Sequence, residues 1–137
     1  MLSRDLARAL QGAGVLWSPA KGDRFFVPDR DLDEHVFVLS DMVIELVDVP
    51  DGSRILAFNG TTEWALDSLE AAAAVWLPRE DQLRELLGQA FVGLEALTGA
   101  TSGYAVTVEV SGSRERHVDV EAEPAYARAL LALLTTT

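Results

Sequence analysis

The sequence contains no cysteine, one lysine and only two histidines among its 137 residues. The absence of cysteine excludes disulfides, thiolate metal sites and cysteine-dependent catalysis. With 11 basic residues against 22 acidic ones, the chain carries a net charge of -11. Proteins gain affinity for phosphate backbones through Lys and Arg, so this balance argues against binding to nucleic acid or to an anionic membrane surface.

Long apolar runs are also missing. No segment approaches the roughly 20 apolar residues that span a bilayer, and the first residues lack the apolar core of a signal peptide. We therefore expect no membrane association and a cytoplasmic location. The composition is otherwise globular, with 49% hydrophobic and 24% charged residues. A chain of this length favours a single domain over residues 1–137.

The sequence contains no pattern typical of a metal site, a phosphate-binding loop or an activated nucleophile. His35 and His117 are far apart in sequence and form no metal-ligand spacing. The acidic run from Asp29 begins like a calcium loop, but Glu34 stands where that loop needs glycine and Ser40 where it needs glutamate. No G-x-S-x-G elbow or Walker sequence occurs. We therefore predict no metal, no cofactor and no catalytic residue, and enzymatic activity is the less favoured alternative.

Helical periodicity marks three segments. Residues 3–13 share an apolar face, and Ser3 is suited to cap the first turn. From Pro78, apolar residues recur at helical spacing as far as Leu97, which predicts one long amphipathic helix. The segment Ala125–Leu134 is apolar on more than one side, which indicates either deep burial or contact with a second subunit.

Elsewhere the apolar period is two, which is typical of strands. The predicted strands are Phe25–Val27, Val36–Leu39, Val43–Val49, Arg54–Phe58, Glu63–Leu69, Ala73–Leu77 (with a helix as the alternative), Tyr104–Val110 and Glu115–Val120. Asp51-Gly52 is a hairpin signal between two of them. The sequence therefore predicts an α+β fold, in which an antiparallel meander of about five to seven strands packs with the long amphipathic helix and with N- and C-terminal helices.

Residues 59–82 are the first candidate binding segment. A turn, an aromatic residue and a helix start follow one another there, and polar groups around an aromatic residue suit a small ligand or a peptide. The candidate ligand-binding residues are Asn59, Thr61, Thr62, Glu63, Trp64 and Arg79. An ordinary turn, a core tryptophan and a helix cap are the alternative interpretation.

The second candidate is the acidic segment from Asp29 to Asp51, which holds eight acidic residues and one arginine. Such a patch attracts and orients a basic protein partner, or it is only a solvent-exposed acidic surface that contributes solubility. The candidate partner-binding residues are Asp29, Asp31, Asp33 and Glu34. The leading hypothesis is a non-catalytic protein-interaction or regulatory module with an acidic surface. The alternatives are a small-molecule-binding protein or enzyme with its site in residues 59–82, and a structural homodimer formed through the C-terminal helix.

Four short stretches carry a family resemblance. They are GDRF at 22–25, SDM at 40–42, FNGTTEWALDS at 58–68 and WLPREDQL at 76–83. In residues 16–87 the chain resembles a family of small uncharacterised bacterial proteins from high-GC genomes. Some members carry an automatic label of pilus assembly protein, which does not extend to this chain, because the pilus-localising ATPases need a phosphate loop that it lacks. The resemblance implies no activity, cofactor or catalytic residue.

Overall fold

The structure is a computed structural model that describes residues 1–28, 36–38, 43–48, 54–59, 68–70, 74–100 and 102–135. The chain divides into two compact units. Unit 1 comprises Met1–Leu16 and Leu77–Thr137, and unit 2 comprises Trp17–Trp76. The single domain predicted over residues 1–137 stays a prediction.

The described residues form three α-helices and nine strands. In chain order these are α1 (Arg4–Gly12), β1 (Arg24–Phe26), β2 (Phe37–Val38), β3 (Val43–Asp48), β4 (Arg54–Asn59), β5 (Ser68–Glu70), β6 (Val75–Leu77), α2 (Glu80–Leu87), β7 (Phe91–Leu97), β8 (Gly103–Val110), β9 (Ser113–Asp119) and α3 (Ala122–Leu134). The strands form three sheets, with the orders β2-β1-β6, β3-β4-β5 and β7-β8-β9. Helices with antiparallel strand pairs confirm the α+β class.

The predicted meander of five to seven strands is wrong, because the described strands lie in three separate three-stranded sheets. Its hairpins are nevertheless present. β3 and β4 pair antiparallel from Val43 opposite Asn59 to Asp48 opposite Arg54, on either side of the predicted turn. That turn, and the predicted strand residues 63–67, lie outside the described residues. Alternation predicted the described strands other than β7, but it does not encode which strands share a sheet.

The N-terminal helix is confirmed. α1 begins after Ser3, whose hydroxyl oxygen accepts a hydrogen bond from the Leu6 N–H at 3.3 Å. This bond supplies a partner to one of the N–H groups that the first helical turn leaves unpaired. The buried residues of α1, Ala7 and Leu10, lie three positions apart on one face.

The predicted long helix from Pro78 to Leu97 is wrong. α2 ends at Leu87, and Gly88 then takes φ +56°, a left-handed conformation that favours glycine. A short 3-10 turn follows, and the chain continues as β7, which pairs antiparallel with β8. The apolar spacing is compatible with both structures, and pairing with β8 satisfies the main-chain groups of residues 91–97 outside a helix.

The core of unit 1 surrounds α3. This helix packs against α1, α2, β8 and β9. Three consecutive residues, Ala125, Tyr126 and Ala127, are all completely buried, so the helix is covered on every side at this level. Of the two interpretations of its apolar sequence, deep burial therefore holds for this part of α3. The last turn, residues 131–134, is half-buried, and a homodimer through it stays a prediction.

We expect Gly103→Ala to destabilise the protein by about 2 kcal/mol or more. Gly103 has φ +153°, and a Cβ atom there would lie 2.5 Å from the main-chain oxygen of Asp119. Gly12→Ala is the matched control, because its Cβ would meet nothing within 4 Å and alanine is the better helix former. Urea denaturation followed by circular dichroism measures both changes. Equal transition midpoints for Gly103→Ala and the wild type would contradict the expectation.

Candidate functional site

Most of the sequence-predicted site residues lie outside the part of the chain that the structure describes. This applies to Thr61, Thr62, Glu63, Trp64, Asp29, Asp31, Asp33 and Glu34. Asn59 is described at the end of β4, where its main chain pairs with Val43. Arg79 is described immediately before α2. The two proposed groupings of these residues therefore stay predictions.

Arg79 starts α2. Its main-chain N–H donates to Oε1 of Gln82 at 2.9 Å, so the glutamine reaches back to cap the helix start. Its Nε donates to Oδ1 of Asp81 at 3.3 Å. Both contacts hold the first turn of the helix. They give Arg79 a structural role, and its predicted ligand-binding role stays a prediction.

A buried carboxylate organises the start of unit 2. Oδ2 of Asp23 accepts the indole N–H of Trp17 at 2.9 Å and the main-chain N–H of Ala20 at 3.0 Å. Asp23 is 2% exposed and is the one buried charged residue of the described part of the chain. A buried carboxylate is costly unless hydrogen bonds compensate its desolvation. These two donors therefore fix the 17–23 segment as a closed turn, which the sequence did not predict.

Three aromatic rings extend from this turn across the first strand pair. The rings of Trp17 and Phe25 have centroids 5.4 Å apart, and Phe25 stacks on Phe37 at the same distance. Phe25 and Phe37 also face each other in the antiparallel register of β1 and β2. Contacts of this kind contribute about 1 kcal/mol each beyond the area they bury.

The acidic residues 29–34 lie in sequence between β1 and β2. Because these strands pair, the chain ends that flank the acidic residues are held side by side. Closing a loop of this length costs roughly 2 kcal/mol of chain entropy. The contact between Phe25 and Phe37 joins the two sides of this loop and offsets about 1 kcal/mol of that cost. The pairing of β1 with β2 and the Phe25–Phe37 contact therefore hold the two ends of the acidic segment together.

In unit 1 the end of β9 is tied to α3 by an ion pair. Nε of Arg128 donates to Oδ2 of Asp119 at 2.8 Å, and the Val120 N–H donates to Oδ1 at 2.7 Å. The hydrogen bond from Arg128 is the main cause that lowers the pKa of Asp119, and main-chain N–H groups of Val120 and Glu121 lower the pKa further. Partial burial of the carboxyl opposes them.

Arg84 joins α2, β7 and α3. Its guanidinium lies 5.7 Å from the ring centroid of Phe91 and 5.8 Å from that of Tyr126. Its Nε donates to the hydroxyl oxygen of the fully buried Tyr126 at 3.2 Å. Glu80 lies one helical turn earlier, 3.8 Å from the guanidinium. This arrangement satisfies the Tyr126 hydroxyl within the core and gives Arg84 a packing role.

His117 lies on β9. Among the described residues its buried Nε2 has no hydrogen-bond partner, and it lies 3.9 Å from Oε1 of Glu115, too far for a hydrogen bond. Across the described ranges, no group of three or more His, Asp or Glu side chains is placed to hold a metal ion. His35 lies outside those ranges.

Comparison with protein-family models, with curated proteins and with solved structures gave no match for this chain. The resemblance to a bacterial family from high-GC genomes therefore stays a prediction. In the described part of the chain, every helix is too short or too polar to cross a lipid bilayer.

We expect Asp119→Asn to destabilise the protein by about 0.5–1 kcal/mol at neutral pH, because asparagine removes the charge that faces Arg128. Since the folded-state pKa of Asp119 is lowered, its stabilising contribution is present above the unfolded-state pKa and is lost as the pH falls through the folded-state pKa. The deficit of the variant should therefore shrink below about pH 4. Urea denaturation at several pH values measures this.

Glu95→Gln is the matched control for that experiment. Glu95 pairs with Arg116 at 3.2 Å, but its side chain is 66% exposed, so we expect almost no loss of stability. An Asp119→Asn deficit that persists unchanged at low pH would contradict the assigned cause.

We expect Trp17→Phe to lower the free energy of unfolding by about 1–3 kcal/mol more than a tryptophan-to-phenylalanine change that loses no hydrogen bond. The reason is that the buried carboxylate of Asp23 loses one hydrogen-bond donor. Trp76→Phe is the matched control in unit 2, because the buried Nε1 of Trp76 has no hydrogen-bond partner among the described residues. Thermal denaturation of both variants measures the difference. Equal losses of thermal stability in the two variants would show that the indole N–H of Trp17 contributes nothing to stability.

Proposed function

We propose that this chain is a non-catalytic protein-interaction or regulatory module that binds a basic protein partner through an acidic surface. The observation that carries the proposal is the unequal division of charge between the two compact units. The Trp17–Trp76 unit has twelve acidic and four basic residues, a net charge of -8. The other unit has ten acidic and seven basic residues, a net charge of -3. A surplus of this density attracts and orients a basic partner.

Ion pairing within unit 1 supports the same division. Four of its arginines lie within 4 Å of a carboxylate of the same unit: Arg79 with Asp81, Arg84 with Glu80, Arg116 with Glu95, and Arg128 with Asp119. Their positive charge is largely compensated at short range. Unit 1 therefore offers a nearly balanced surface, and the acidic surplus resides in the 17–76 stretch of sequence.

The paired ends of the acidic segment add a physical reason to place recognition there. Because β1 and β2 hold positions 25 and 37 opposite each other, the carboxylates of residues 29–34 belong to one short connection. Charges that share a short connection act on a partner together, which strengthens steering. We place this role in the cytoplasm and in the bacterial family that the chain resembles.

The test is a variant in which Asp29, Asp31 and Asp33 become Asn and Glu34 becomes Gln. We expect it to bind a fluorescent oligolysine peptide at least about tenfold more weakly than the wild type at low salt. Immobilised wild-type chain should also capture basic proteins from a lysate in a salt-sensitive way. Fluorescence anisotropy across a salt series measures the first effect.

The control removes the same charge from unit 1. It changes four exposed acidic residues to their amides: Asp5, Asp81, Glu85 and Glu109. This variant should bind the peptide almost as well as the wild type. Unaltered binding by the first variant, or an equal loss in both variants, would refute the proposal.

A further inference from the structure

Residues 17–76 interrupt the sequence of unit 1. The chain leaves unit 1 after Leu16 and returns to it at Leu77. Leu16 is 86% exposed, so the chain leaves unit 1 at a residue that is not packed in a core. The helix before the interruption, α1, and the helix after it, α2, both pack against α3. Unit 1 therefore builds its core from sequence on both sides of residues 17–76.

Each unit has buried side chains with partners in the same unit. In unit 1, α3 is covered by α1, α2, β8 and β9, which all belong to that unit. In unit 2, Phe25 is buried and contacts the rings of Trp17 and Phe37. The buried carboxylate of Asp23 accepts hydrogen bonds from Trp17 and Ala20 of that unit. Groups of neighbouring elements that share contacts in this way commonly unfold as separate cooperative units.

The two units differ in the electrostatic repulsion within them. Unit 2 has a net charge of -8 and unit 1 a net charge of -3. A net charge far from zero destabilises the compact state through repulsion of like charges. In unit 1, four arginines lie beside carboxylates, and the closest pair joins Arg128 to Asp119 at 2.8 Å. Unfolding therefore relieves more repulsion in unit 2 than in unit 1.

We propose that residues 17–76 unfold as a cooperative unit before unit 1 unfolds, and that cations which screen or neutralise their negative charge suppress this unfolding. Salt screens the repulsion between the acidic side chains. A polycation that binds only the folded unit stabilises it by mass action. The early unfolding and its salt dependence do not require the proposed function, whereas the effect of a polycation rests on it.

Two optical signals of the full chain report on the units separately. All three tryptophans lie in unit 2, so tryptophan fluorescence follows the unfolding of that unit. The α-helices described, α1, α2 and α3, belong to unit 1, so the helical signal in circular dichroism follows unit 1. In urea we expect the fluorescence midpoint to lie below the circular dichroism midpoint. Coincident midpoints would overturn the proposal.

The salt dependence of the two midpoints tests the electrostatic cause. Raising sodium chloride from about 0.02 M to about 0.5 M shortens the range of the repulsion severalfold. The fluorescence midpoint should rise, and the circular dichroism midpoint should move less, because the charge of unit 1 is largely paired. An equal response of the two midpoints to salt would contradict the proposed cause.

One variant in each unit tests whether the units unfold separately. Phe25→Leu removes two ring contacts from unit 2. It should lower the fluorescence midpoint by roughly 1 M urea and leave the circular dichroism midpoint unchanged. Gly103→Ala is the matched change in unit 1, because its Cβ would lie 2.5 Å from the main-chain oxygen of Asp119. It should lower the circular dichroism midpoint alone.

The comparison of these variants holds even where Gly103→Ala prevents unit 1 from folding. The fluorescence transition should then still occur at the wild-type midpoint. Loss of that transition in Gly103→Ala, or a shift of both midpoints in Phe25→Leu, would overturn the proposal.

Oligolysine separates this inference from the proposed function. When it binds unit 2, it should raise the fluorescence midpoint alone. A rise of both midpoints would contradict the separate unfolding of the units. A rise of neither midpoint would refute the polycation effect and the proposed binding, and the salt series and the two variants would still decide the early unfolding of unit 2.

Discussion

Burial of α3 on all sides is the constraint on which the rest of unit 1 depends. Ala125 and Ala127 carry only a methyl group, so the helix axis approaches its neighbours closely, while Tyr126 fills the remaining space beside Phe91. Because the hydroxyl of Tyr126 is buried, it needs a polar partner, and Arg84 of α2 supplies one. Asp119 and Arg128 join the same helix to the end of β9. One apolar helix thus determines where two polar contacts must form.

The two units differ in net charge. In unit 1, four arginines lie in pairs with carboxylates, which lowers the repulsion among its acidic side chains at a modest gain in stability per pair. The 17–76 stretch keeps a surplus of acidic residues. Within it, the one buried charge described, Asp23, is used to close the turn that carries Trp17. Among the described residues of this stretch, the rings of Trp17, Phe25 and Phe37 form two aromatic contacts.

The candidate sites could be predicted only in part from the sequence. Charge density marked the segment from Asp29, because composition is visible without a fold. The Asp23 turn cannot be predicted from the sequence, because nothing local shows that a carboxylate will be buried beside an indole. The pair of Asp119 and Arg128 was missed for a related reason. Its partners are brought together by the packing of a helix on a strand.

The sequence by itself determined the elements whose signals are local. These are α1 with its Ser3 cap, the β3–β4 hairpin, β8 and α3. Caps, turns and apolar periodicity act over a few residues, so they can be recognised without a fold. Only the tertiary structure decided which secondary structure residues 80–97 adopt. Their apolar spacing suits a helix, but after Gly88 the chain pairs with β8 instead. Strand pairing depends on a partner that lies elsewhere in the chain, and the same non-local requirement divided the strands among three sheets.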